Sequence, residues 1–336
     1  MDSLSQLALG AAIGVAVLGR RTAVWKAALW GGIAGTLPDL DVVIDHGDAL
    51  RNMTMHRGAS HALFWLTLAA PLFAAVPVAI HRQWHHYRRW WLAAWLALVT
   101  HPLLDAMTVY GTQLLLPLTN HPFGVGSIFI IDPLYTLPLV VGVLAALGRK
   151  DWRGLSLNRA GLVLSTAYLA WSVVAQWHVR EVAEDDLAAR GLPGTDVLVT
   201  PTPLNTVLWR VVAMLPDGSY EEGFHSLLDG GRPLRMERHA AVPQLALELG
   251  ASPDVRQLAA FTHGFYKLDE RGGVARVTDL RMGQEPHYVF SFAVARRHAG
   301  GWTPLVPTNE GSRGDTREAL AWLWDRMRGR DVAAPR

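Results

Sequence analysis

Apolar residues run almost unbroken through the first half of the chain and alternate with polar ones through the second. Stretches near 5–19, 24–44, 61–80, 90–109, 127–148 and 160–178 each approach the length that crosses a bilayer, about 20 residues. They predict about six transmembrane helices. The first stretch is rich in Gly and Ala, as suits a helix that packs closely on a neighbour. From residue 179 onward the period changes. Val207–Val212 and Tyr288–Val294 alternate like half-buried strands, and Pro216-Asp217-Gly218, Asp229-Gly230-Gly231 and Arg271-Gly272-Gly273 read as turns. Asp315 or Thr316 followed by Leu320, Trp322, Leu323 and Met327 predicts a closing helix over 315–329. The fold class read from this pattern is an all-α polytopic membrane domain at 1–178, of about six helices, followed by a soluble α+β domain at 179–336.

Charge sharpens the division. Residues 1–178 hold 20 of the 60 charged side chains and no glutamate at all, the first being Glu181. Ten of the 14 tryptophans also fall there. Alternate connections differ in basic content. Arg20, Arg21, Lys26, Arg82, Arg88, Arg89, Arg149, Lys150, Arg153 and Arg159 lie on one side, and only Arg51 and Arg57 on the other. Basic loops stay in the cytoplasm, so the 45–60 and 110–126 loops and everything after 178 are expected to face outward. The expected arrangement is multi-pass in a membrane, with the bilayer as first partner. A net charge of +2 gives no reason to expect nucleic acid, and the absence of cysteine excludes disulfides and thiolate metal sites.

Ionisable residues in or near spans are costly and therefore candidates for function. Asp39 and Asp41 end the second stretch, His56, Arg57 and His61 precede the third, His101 and Asp105 close the fourth, and Asp132 opens the fifth. The alternating topology brings all of them to one level at the outer face. His101 and Asp105 are four residues apart, on one helical face, so both can reach one ion. The metal candidates are Asp39, Asp41, His56, His61, His101 and Asp105. Such a donor set suits zinc, with manganese or iron as alternatives, and is large enough for one or two ions. Asp41 and Asp132 are candidates for general base, and Arg57 for a phosphate partner. Two bland readings stay open. Single intramembrane histidines often bond helices together, and buried Asp and His also serve ion or proton pathways.

Leu37-Pro38-Asp39-Leu40-Asp41, His56-Arg57-Gly58 with Ser60-His61, and Thr100-His101-Pro102-Leu103-Leu104-Asp105 together resemble the YdjM-like family of bacterial inner-membrane proteins. That family is described as predicted metal-dependent hydrolases. Asp132-Pro133-Leu134-Tyr135 and the Pro203–Arg210 stretch resemble its longer members, which carry an extra C-terminal domain. The resemblance implies a membrane-bound metal-dependent hydrolase; the donor set and the outward-facing loops add the expectation of a phosphoester or lipid-linked substrate at the outer face. The alternative is a non-enzymatic membrane scaffold or an ion- or proton-handling protein.

Overall fold

Glycine determines how the first two helices meet. In α1 (Ser3–Leu18) and α2 (Val24–Thr36), Gly10 and Gly14 face Gly31 and Gly35. A Cβ on Gly10 would stand 2.2 Å from the carbonyl oxygen of Gly31, and one on Gly31 would stand 2.3 Å from that of Gly10. Only hydrogen at these positions lets the two backbones touch, the small-residue packing typical of membrane helices. The computed structural model describes residues 1–149 and 151–335; Lys150, counted above among the basic loop residues, and Arg336 lie outside them.

The helices continue with α3 (Ala49–Met55), α4 (Leu63–His81), α5 (Tyr87–Ala106), α6 (Pro133–Arg149) and α7 (Trp152–Ala189). Each of the six expected stretches contains a helix, but their lengths differ from the expectation. Among the described residues, only α4 and α7 are long and apolar enough to cross a membrane on length and composition, while α1 and α6 are shorter apolar helices. The second stretch breaks at Leu37, where the chain tightens into a 3₁₀ helix over Leu37–Val43. The fifth begins at Pro133 rather than 127, because a proline at the first helical position costs no backbone bond.

The described residues divide into two compact units. One comprises 1–43, 57–173 and 203–205; the other comprises 44–56, 174–202 and 206–336. In the first, α1, α2, α4 and α5 enclose a core of Ala11, Val15, Leu18, Ala27, Ala74, Val78, Trp90 and Ala94. Alanine dominates it, which brings the helix axes close.

The second unit is rich in β-structure. β1 (Asp196–Pro201), β2 (Leu208–Met214), β3 (Tyr220–Ser226) and β4 (Met236–His239) form an antiparallel sheet in sequence order. After the short helices α8 (Pro243–Leu249) and α9 (Pro253–Phe261) come β5 (Tyr266–Arg271) and β6 (Val274–Asp279). The pair β7 (Gly283–Gln284) and β8 (His287–Tyr288) follows, then β9 (Ser291–His298) and β10 (Gly301–Asn309). The second sheet has the order β10-β9-β6-β5. Helix α10 (Thr316–Met327) closes the unit, its end capped by Asp315 as expected. Ala175, Val179, Ala183 and Leu187 recur every fourth residue along the last part of α7 and pack on Val197, Val199, Trp209 and Val211. The β2 residues between these, Arg210 and Val212, point to the opposite face.

Candidate metal centre

Four side chains from three segments meet at one point. Asp39 comes from the 3₁₀ helix, His61 from the turn just before α4, and His101 and Asp105 from the last two turns of α5. His61 Nε2 and His101 Nε2 are 3.1 Å apart. Asp39 Oδ1 lies 3.4 Å from each of them, and Asp105 Oδ2 lies 3.3 Å from the first and 3.2 Å from the second. Five edges of a four-cornered figure are therefore nearly equal. A tetrahedron with bonds of ~2.0–2.1 Å, the usual zinc–nitrogen and zinc–oxygen lengths, has edges of ~3.3–3.4 Å. The spacing fits one such ion.

Proton placement supports the same conclusion. His101 Nδ1 lies 2.6 Å from the carbonyl oxygen of Gly35, which can only accept, so Nδ1 carries the hydrogen. His61 Nδ1 donates to Ser60 Oγ at 2.9 Å, and that hydroxyl donates to Asp41 Oδ2 at 2.6 Å. Both Nε2 atoms thus present lone pairs to each other and to two carboxylate oxygens. At 3.1 Å the two nitrogens have room for one proton between them but not two. Asp105 divides its work: Oδ1 receives Gln6 Nε2 at 3.2 Å, Arg57 at 3.2 Å and the Met1 amino group, while buried Oδ2 accepts no hydrogen bond. A divalent cation would satisfy all four inward lone pairs at once. Among the described residues, this is the group whose His and Asp atoms lie close enough to share an ion.

The other expected residues have different places. Asp41 stands two positions from Asp39 on a 3₁₀ turn, which rotates it ~240° away, so it cannot point at the same ion. It accepts from Ser60 and from the Arg57 backbone N–H at 3.0 Å instead, and so supports His61 from behind. Asp132 caps α6, taking the Leu134 N–H at 3.0 Å and the Tyr168 hydroxyl at 2.9 Å, and is not one of the four. His56 ends α3 as its C-cap, also outside the group. Arg57 is buried, and its guanidinium is engaged by Asp105 Oδ1 and stacked 4.9 Å over the Tyr110 ring. The expected phosphate partner is thus a partner of a ligand. Its φ of 62° is left-handed, a strained conformation for arginine. Gln6 was not anticipated, because it sits in a helix whose small residues dominate the pattern. It also donates to the His101 carbonyl at 3.1 Å.

A cleft of about 850 Å³ in the β unit is bordered by Glu222, Asp229, Trp322 and Arg326. Its charges pair with neighbours: Asp229 meets Arg326 at 2.6 Å and Glu222 meets Arg210 at 2.5 Å.

The motifs that bring the four ligands together lie within residues 1–179, the span that matches the YdjM inner membrane protein family. The chain belongs to that family. Like the family, it is a membrane protein. The uncharacterized protein YfhP of Bacillus subtilis (strain 168) is 25% identical over 327 residues, covering 89% of this chain and 91% of its own. The likeness therefore extends into the β unit. No solved structure matches the chain.

Proposed function

We propose that this YdjM family member is a metal-dependent hydrolase of a phosphoester, with its centre at the outer face of the inner membrane. The observation that carries the reading is the convergence of one possible ligand atom each from Asp39, His61, His101 and Asp105, with Asp105 Oδ2 buried and accepting no hydrogen bond. These four would hold the ion. Zinc is the favoured metal, from the edge lengths and the two imidazoles, with manganese or iron as alternatives. A divalent cation there supplies Lewis acidity, polarising a phosphoryl oxygen and making water nucleophilic near neutral pH.

The ligands are unequally buried. His61, His101 and Asp105 are sealed, whereas the Asp39 side chain is 24% exposed. Asp39 is therefore where substrate would enter and where the proton of the attacking water would go. In the balanced reaction, the water oxygen forms a bond to phosphorus, the ester P–O bond breaks, and the leaving alcohol takes a proton. Arg57 and Gln6 hold Asp105 in place, and Ser60 with Asp41 fix the His61 ring.

A second reading has its own support. Four protein ligands with tetrahedral spacing are the signature of a closed, structural metal site, which suits a scaffold. One experiment separates them. Purified protein is assayed for bound metal by mass spectrometry and for hydrolysis of bis(p-nitrophenyl) phosphate, alongside His101→Ala. Stoichiometric metal and turnover in the wild type, both lost in the variant with helicity kept, support the hydrolase. Metal without turnover favours the structural site, and negligible metal in both proteins sinks both readings.

The sidedness rests on the ten-to-two asymmetry of basic residues between alternate loops. It implies a multi-pass arrangement in which α1, α2, α5 and α6 also traverse the bilayer, shielded by their neighbours. Residues after 178 are then extracytoplasmic. A reporter active only in the cytoplasm should work in the 81–89 loop and fail when fused after Arg180. Activity after Arg180 would reverse the placement of the centre.

A further inference from the structure

Access to the centre runs through Asp39, and the surface around it is apolar. On the same 3₁₀ helix, Val42 is 72% exposed and Val43 80%. A second apolar edge is tied to the other side of His61. The Gln113 N–H donates to the Arg57 carbonyl and the Leu63 N–H to the Leu114 carbonyl, both at 3.0 Å. The 112–119 loop thus brackets the ligand and presents Leu118, 88% exposed. Helix α4 starts two residues after His61, and Phe64, Leu68 and Leu72 form an exposed stripe at four-residue spacing along this candidate span. The edge near the centre therefore continues the exposed apolar face of a candidate span, which a bilayer would cover.

Charge argues in the same direction. A soluble phosphoester is drawn in by exposed cations around a site mouth. The chain has no Lys or Arg in 27–50 or in 90–148; between them Arg57 is buried, and the exposed Arg51 pairs with Asp48 at 3.3 Å. Neither the Leu37–Val43 helix nor the 112–119 loop carries a cation that would collect an anion from water.

We infer that the substrate is an amphiphile with a phosphoester headgroup, which reaches Asp39 sideways from the lipid leaflet past the Val42–Val43 and Leu118 edges. This rests on the hydrolase reading and specifies its substrate class. The apolar edges hold the acyl part while the headgroup meets the centre.

The absence of cysteine makes the test direct. Val43→Cys and Leu118→Cys, each carrying a nitroxide, are placed in vesicles of phosphatidylcholine and phosphatidylglycerol. Collision with oxygen should exceed collision with a water-soluble nickel chelate at both positions; the reverse order at both overturns the inference. A second arm compares the wild type with a Val42→Asp/Leu118→Asp double variant. Hydrolysis of vesicle phosphatidylglycerol should fall about tenfold or more, because a carboxylate is costly at lipid depth, while bis(p-nitrophenyl) phosphate turnover stays within about twofold. Equal loss on both esters overturns the inference. Metal-loaded wild type that cuts only the soluble ester overturns this inference alone; cutting neither overturns the hydrolase reading with it.

Discussion

The helical unit and the β unit both bury carboxylates, and they neutralise them in opposite ways. In the β unit every buried acid meets a base. Asp279 receives Arg281 through both oxygens, at 3.0 and 2.8 Å, and Glu222 receives Arg210. Glu285 takes Lys267 and the Tyr220 hydroxyl; burial raises its pKa, but these two bonds outweigh that and hold it below the usual glutamate value. Each of these three acids carries a cationic donor. In the helical unit, two carboxylate oxygens face two imidazole lone pairs. The residue types are common to both regions; what differs is the balance of donors. Buried charge by itself marks no site, whereas a buried surplus of lone pairs does.

The contrast can be broken from either side. Arg281→Met leaves Asp279 buried without its base and should cost the β unit ~3–5 kcal/mol, read as faster hydrogen exchange in β6 and α9. Bound metal should not change; a loss of metal would show that the two clusters are not independent. Gly31→Ala acts on the helical unit, since its Cβ would collide with the Gly10 carbonyl. Separating α1 from α2 should cost ~1–3 kcal/mol and move the Gly35 carbonyl that orients His101, so metal affinity should weaken measurably in a competition titration with a chelator. Unchanged affinity would mean that this carbonyl is not needed. The smallest effect concerns His225 on β3. Burial lowers its pKa below 6.5, with Arg326 and His178 adding to that and Asp229 opposing it. A lowered folded pKa means that its stability contribution is present above pH 6.5 and lost as pH falls below it. Exchange in β3 should therefore quicken on mild acidification, and His225→Gln should flatten that response.

The i,i+4 spacing of His101 and Asp105 was legible because both sit in one regular helix. Asp39 and His61 were legible through topology, since alternation of spans put their segments at one level. The separate roles of Asp39 and Asp41 were not legible. They depend on the chain tightening to a 3₁₀ turn after Pro38, and a sequence does not mark how such a turn aims successive carboxylates. Asp132 read as a site residue because a carboxylate beside an apolar run is costly, and a capping role lowers that cost equally well. Ser60, Gln6 and the Gly35 carbonyl could not be assigned in advance. Each acts through a neighbour brought close by tertiary packing, and a backbone oxygen leaves no trace in residue identity. In the β unit the turns and the closing helix were readable, while the pairing order of the second sheet was not, because strands β6 and β9 meet across the 11 residues 280–290.

The left-handed backbone of Arg57 also affects how this protein would respond to engineering. Glycine or asparagine adopts that conformation at lower cost, so Arg57→Gly relieves backbone strain. The same change removes the guanidinium from buried Asp105. The lost pair costs more than the relieved strain returns, so a change that looks favourable from the backbone alone would lower heat resistance and hold Asp105 less firmly.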